Sequence, residues 1–134
     1  MGKLPVICIL VAFLAVASVH TKTANVIDVY RKMIFEPAVV RNNKPVVVFY
    51  YSSSQCKPCS WSILPILEKM VRRKSESIYL AKVDLDKVPE FRTEHAIETL
   101  PTVMTYFKGD VMDYVEGLNW GPIVKLVNEA ARMK

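Results

Sequence analysis

PVVVFYYSSSQCKPCSWSILP, residues Pro45 to Pro65, decides how the rest of the chain is read. Val46 to Tyr51 is a run of β-branched and aromatic residues and predicts a buried strand. Ser52, Ser53, Ser54 and Gln55 break it, and Cys56-Lys57-Pro58-Cys59 then opens a helix. A helix start presents unpaired N–H groups and the positive end of the dipole, both of which stabilise a thiolate. Cys56 is the outer cysteine and the expected attacking thiolate. Cys59, one turn in, is placed to attack a mixed disulfide and release the product. Lys57 sets a cation beside Cys56 and lowers its pKa further, and Pro58 stiffens the first turn where a missing N–H costs nothing.

The bulk numbers bound the alternatives. A chain of 134 residues, 51% hydrophobic and 23% charged, suits one globular domain with a single core. The net charge of +5 is spread along the chain, with one small cluster at Arg72, Arg73 and Lys74. Nucleic-acid binding calls for a denser stripe, so no nucleic-acid partner is expected.

Lys3, the apolar run from Leu4 to Val16 and the small residues Ala15-Val16-Ala17 have the pattern of a cleaved secretory signal. The run falls short of the ~20 residues of a spanning helix. The expected division is a signal peptide over residues 1–17 and a domain over 18–134 that keeps no membrane span. The expected location is the secretory lumen or outside the cell; an uncleaved signal anchoring the chain to a membrane is the alternative. Cys8 lies within this signal, which leaves Cys56 and Cys59 as the mature thiols. Such a pair is a local redox couple or half of a metal site. A tetrahedral metal site needs two more ligands. His20 sits beside the cleavage point and His95 reads as a surface histidine, so no metal is expected within one chain. A dimer sharing two such pairs stays open.

In chain order, Asn25–Tyr30 predicts a short edge strand. Arg31–Arg41 predicts a helix that Pro37 starts or kinks. After the central strand, the helix from Cys56 runs to about Lys74, with Ile63, Leu64, Leu67, Met70 and Val71 on one face and Pro65 bending it. Ser77–Asp84 is the next strand and Lys87–His95 a short helix. Thr102–Phe107 and Val111–Val115 form a hairpin around Lys108-Gly109-Asp110. Asn119 is the expected N-cap of a last helix whose apolar face is Ile123, Leu126, Val127 and Ala130. The order βαβαβαββα predicts an α/β protein, a mixed sheet with helices on both faces. Trp61, Trp120 and Tyr50 read as packing residues; for Trp61, two residues after Cys59, the alternative is a place lining the substrate groove.

Over about residues 25–132 the chain resembles the thioredoxin family. The resemblance rests on the strand leading into Cys56-Lys57-Pro58-Cys59, on Ala81-Lys82-Val83-Asp84-Leu85-Asp86, on Thr99-Leu100-Pro101-Thr102 and on Phe107-Lys108-Gly109 with Gly117 beyond. It implies the thioredoxin fold, a redox-active Cys56–Cys59 disulfide, and a buried Lys82 that tunes the pair. It further implies a cis-Pro101 loop facing the dithiol, where Leu100 binds an extended substrate through its backbone and Thr99 adds contacts.

The departures from the family carry expectations of their own. The family's buried acid, six residues before the first cysteine, is Tyr50 here, which leaves Lys82 without its usual partner and resolution by Cys59 slow. Gln55 and Lys57 replace the usual Trp and Gly. One extra residue between Cys59 and Pro65 predicts a local helical bulge.

Two functions fit. The first is a monomeric thiol–disulfide oxidoreductase contributing to redox homeostasis. Its partners would be protein thiols and disulfides, with no cofactor beyond its dithiol, and a disulfide reductase or glutathione would supply electrons. The second is a low-turnover module that grips extended peptides in the secretory pathway.

Overall fold

The computed structural model describes residues 25–134. The signal expected over residues 1–17, with Cys8 and His20, lies outside them. Strand β1 is Val26–Asp28, followed by helix α1, Lys32–Phe35, which widens into a π-turn over Glu36–Val40 with Pro37 in its first turn. Strand β2 is Val46–Tyr51. A second π-turn, Cys59–Ile63, leads into helix α2, Leu64–Arg72. Strand β3, Tyr79–Asp84, precedes the short helix α3, Phe91–Glu94. Strands β4, Thr102–Phe107, and β5, Asp110–Glu116, form the hairpin, and helix α4, Trp120–Ala130, closes the chain.

The five strands make one sheet in the order β1-β3-β2-β4-β5. β3 runs parallel to both β1 and β2, while β4 is antiparallel to β2 and to β5. This is the mixed α/β sheet the sequence predicts, with β1 at one edge. β2 lies at the centre with all six residues buried, which accounts for its unbroken apolar composition. Successive side chains of a strand point to opposite faces. Val47, Phe49 and Tyr51 accordingly pack with α2, α4 and Cys59, whereas Val46, Val48 and Tyr50 pack with Phe35, Val39 and Phe91. Each fully buried large apolar side chain contributes about 1.5–3 kcal/mol, so both layers are substantial.

The bulge expected before Pro65 is present as the Cys59–Ile63 π-turn, closed by the Leu64 N–H donating to the Cys59 carbonyl. Proline cannot donate to the carbonyl four residues back and its ring crowds that carbonyl, so the wide turn absorbs both faults just before α2 becomes regular. Ile63, Leu64, Leu67 and Val71 form the buried face of this segment.

Other boundaries shift for local reasons. The expected helix over Lys87–His95 is α-helical at Phe91–Glu94, because Pro89 restrains the residue before it and lacks an N–H. The hairpin turn is the pair Lys108-Gly109 alone, with φ of 54° and 85°, the positive pair a two-residue turn requires. Asn119 occupies the N-cap position but its side chain does not cap; its Nδ2 donates back to the Glu116 carbonyl at 3.2 Å. Among the described residues, no helix is long and apolar enough to cross a membrane.

Candidate active site

β2 ends at the sheet's centre and delivers the chain through Ser52–Gln55 to Cys56. Cys56 is half-buried and Cys59 fully buried, joined in a disulfide across three positions of sequence. The Cys56 N–H donates to the Ser52 carbonyl at 2.8 Å, and the Cys59 N–H to the Cys56 carbonyl at 3.2 Å, so the pair is fixed from both sides. Lys57 and Pro58 are exposed beside Cys56, and Pro58 holds helical angles of −63° and −22°.

The loop before the pair is held by a residue the sequence reading left without a role. Asp86, just beyond β3, accepts from Ser52 Oγ at 2.7 Å, from Ser53 Oγ at 3.0 Å and from the Ser54 N–H at 2.8 Å. Ser52 Oγ in turn accepts the Gln55 N–H at 3.1 Å. The buried Asp84 takes the Ser53 N–H at 3.2 Å through its Oδ1. Hydrogen bonds to the charged form favour it, Ser52's hydroxyl first and Ser54 next, and they lower the Asp86 carboxyl from 3.8 to about 2. The run of three serines is the signal that could have pointed to such an acceptor.

The second loop approaches from β4. Tyr50 pairs with Thr102, so the antiparallel register carries the preceding residue, Pro101, toward the end of β2 where the cysteines begin. The Leu100–Pro101 bond is cis, Pro101 is buried and its carbonyl accepts the Gly117 N–H at 2.8 Å. Among the described residues, no backbone hydrogen bond engages the N–H or C=O of the half-buried Leu100. Thr99 is exposed and donates through Oγ1 to Glu116 Oε2 at 3.4 Å.

Tyr50 is the packing residue expected, fully buried, and its face is the one away from the cysteines. In the β2–β3 register Lys82 stands beside Phe49, and it is Phe49 and Tyr51 that pack with Cys59. Tyr50 points into the opposite layer. Counting six residues back from Cys56 lands on the wrong face, because one position of offset in a strand reverses the side. With Tyr50 in place of the usual acid, Lys82 pairs with Glu68 of α2: its Nζ lies 3.4 Å from Oε1, with both side chains about three-quarters buried. Burial, with Asp84 and other carboxylates nearby, pushes the Tyr51 hydroxyl up to about 12.

Two readings are corrected. His95 is not a surface histidine: its Nδ1 is 2.8 Å from the Tyr50 hydroxyl, and its ring stacks on Phe91 with centroids 4.1 Å apart. Trp61 is not a packing residue; it is 73% exposed on the outer side of the π-turn. Trp120 does pack against the Cys59 layer.

The thioredoxin family model matches residues 26–129. The chain belongs to the thioredoxin family. Thioredoxin Y1, chloroplastic, of Arabidopsis thaliana is 31% identical over 101 residues, covering 75% of this chain and 58% of that protein. Mitochondrial thioredoxin of Mus musculus is 36% identical over 84 residues, 63% of this chain and 49% of that one. The chain thus spans about half the length of these curated relatives. Among solved structures, the oxidised thioredoxin from Plasmodium falciparum superposes with a TM-score of 0.69 at 26% identity, covering 79% of this chain and 98% of that one. The thioredoxin fold expected from the sequence is therefore present, with its cysteine pair at the strand-to-helix junction.

Proposed function

We propose that this protein is a thiol–disulfide oxidoreductase acting on protein disulfides. The observation that carries the reading is the disulfide between a half-buried Cys56 and a fully buried Cys59 at the end of the central strand. In the reduced enzyme the Cys56 thiolate attacks one sulfur of a substrate disulfide. That bond breaks, its other sulfur leaves as a thiolate and takes a proton, and a mixed disulfide to Cys56 forms. Cys59 then gives up its proton and attacks the Cys56 sulfur, which releases the second substrate thiol. The substrate gains two electrons and two protons, and the enzyme is left as the Cys56–Cys59 disulfide. A disulfide reductase or glutathione returns the electrons, and no cofactor beyond the dithiol takes part.

Lys57 favours the Cys56 thiolate by charge, and Pro58 keeps the first turn rigid. Leu100, whose backbone is unengaged within the described chain, binds an extended substrate strand beside Pro101, with Thr99 at the rim. Lys82 is held by Glu68, so its charge reaches Cys59 already compensated in part. The chain serves redox homeostasis as a monomer in a secretory compartment, as residues 18–134 released from the signal over 1–17.

Insulin reduction by dithiothreitol, catalysed by the full chain, tests the reading. Cys56→Ser abolishes catalysis, and Cys59→Ser accumulates the mixed disulfide. Partner binding that survives Cys56→Ser with the phenotype intact defeats the enzyme reading and leaves the peptide-gripping module in its place. Equilibration against glutathione fixes the direction: a potential below about −240 mV marks a reductase, one near about −190 mV an oxidase or isomerase.

A further inference from the structure

On the face of the sheet away from the cysteines, three polar side chains meet inside an aromatic pocket. The fully buried Tyr50 places its hydroxyl 2.8 Å from His95 Nδ1 and 3.3 Å from the Tyr106 hydroxyl. The His95 ring lies against Phe91 at 4.1 Å and Phe35 at 4.5 Å between centroids. Tyr50 thereby grips one loop at both ends. Its side chain holds His95, where the loop to Pro101 begins, and its main chain pairs with Thr102, where that loop becomes β4. Between these anchors the Ile97 N–H donates to the Arg92 carbonyl at 2.8 Å and the Ile97 side chain is buried. β2 ends one residue past Tyr50 and the Ser52–Gln55 loop continues from it to Cys56, so Tyr50 ties the start of the loop before Pro101 to the strand that leads to the dithiol; the Pro101 carbonyl is held separately by the Gly117 N–H and the Thr99 carbonyl by Thr102 Oγ1.

We propose that His95 is a positioning residue for disulfide exchange: through Tyr50 and Tyr106 it clamps the Thr99–Pro101 loop at its working distance from Cys56, and protonation of its ring loosens the clamp. The proposal rests on the exchange function above. Only Nδ1 faces Tyr50. With the ring proton on Nε2, Nδ1 accepts from the Tyr50 hydroxyl, which is then free to accept from Tyr106; an imidazolium Nδ1 can only donate, so the Tyr50 hydroxyl has to turn and donate to Tyr106 and the direction of the triad reverses. The groups around the ring do not offset the added charge. Glu94 on its own helix favours it but is already paired with Lys32 of α1, whose ammonium opposes it. Glu36 of the π-turn, Glu98 of the loop and Glu116 of β5 line the two clefts beside the ring, with Tyr114. Burial outweighs them and lowers the imidazole below 6.5.

The test is insulin reduction by the full chain between pH 5 and 8, with KM and kcat separated for wild type, His95→Asn and His95→Phe. Asn sets an amide near the Nδ1 position and does not titrate; Phe keeps the ring shape without the hydrogen bond. Wild-type KM should climb by roughly three- to tenfold on acidification, the worth of one hydrogen bond, with kcat little changed. His95→Asn should lose that pH dependence, and His95→Phe should show the raised KM at every pH. A His95→Asn profile that tracks wild type, or an unchanged KM in His95→Phe, overturns the proposal. A second measurement needs no turnover: in wild type the amide resonances of Thr99, Leu100 and Thr102 should follow the His95 titration, and Tyr50→Phe should uncouple them. Amides that ignore His95 overturn the clamp even if a variant fails to fold. A wild-type chain that does not reduce insulin at all defeats the exchange function, and the amide titration still decides whether His95 holds the loop.

Discussion

Two loops lie at the end of β2 that leads to the dithiol, and they are held by opposite physics. Ser52–Gln55 is tied down by a charged acceptor in contact with water, the Asp86 carboxylate. The loop from His95 to Pro101 is tied by neutral hydrogen bonds inside an aromatic pocket. Both are anchored to β2, the first as its continuation past Tyr51 and the second through Tyr50. Neighbouring residues on a strand face opposite layers, so the strand keeps the two restraints apart. The hydrated restraint depends on charge, whereas the buried one depends on packing around a ring whose charging burial disfavours.

The largest way to break this division is Phe91→Ala. It removes the ring stacked on His95 and should cost about 3–5 kcal/mol, read as a lower urea midpoint. Hydrogen exchange in the variant should speed up at Ile97 while the Ser54 and Gln55 amides keep their protection. Equal loss at both loops would show that they form one unit.

Asp86→Ala attacks the other side. Three accepted hydrogen bonds disappear from the loop that aims Cys56, and misplacing a reacting group lowers rate steeply. Insulin reduction should fall on the order of tenfold, and Asp86→Asn, which keeps one acceptor oxygen, should fall less. An unchanged rate in Asp86→Ala would mean that the serines hold the loop by themselves.

What was legible in the sequence follows the same division. The central strand, the cysteine junction, the Pro101 loop and the wide turn before Pro65 are local features, written in β-branched runs, proline positions and one surplus residue. The restraints are not local. Ser52 and Asp86 lie 34 residues apart, and Tyr50 and His95 lie 45 apart. Nothing in the neighbourhood of His95 distinguishes a surface ring from one stacked on Phe91, since that depends on where α3 docks. The face Tyr50 takes was not legible for a sharper reason: counting back from Cys56 crosses a loop whose path sequence does not fix, and a slip of one residue reverses the side. Trp61 was misread because indoles are usually buried, while the π-turn that carries it presents it to solvent.

A smaller effect sharpens the buried side of the comparison. Ala96, directly after His95, has φ of 55°, a conformation in which its Cβ is crowded. Ala96→Gly should relieve that crowding and raise stability by about 0.5–1 kcal/mol, visible as a higher urea midpoint. A midpoint that falls instead would show that the backbone there needs the stiffness of alanine more than it suffers from it.

The smallest effect separates the two restraints by pH alone. His95 has a folded value lowered by burial beneath its ordinary 6.5, so the folded protein takes up this proton less readily than the unfolded chain. Its stability is intact above 6.5 and declines as pH falls from there to the lowered folded value. Partial exposure keeps this step small. Asp86 works in a lower window: its folded value of about 2 against an ordinary 3.8 adds stability above 3.8 that is lost as pH falls toward 2. Urea midpoints measured from pH 8 to 2 should therefore show two separate declines. His95→Asn should flatten the upper one and Asp86→Asn the lower. If either variant flattens both, charge at one loop is being felt at the other, and the division between hydrated and buried restraint fails.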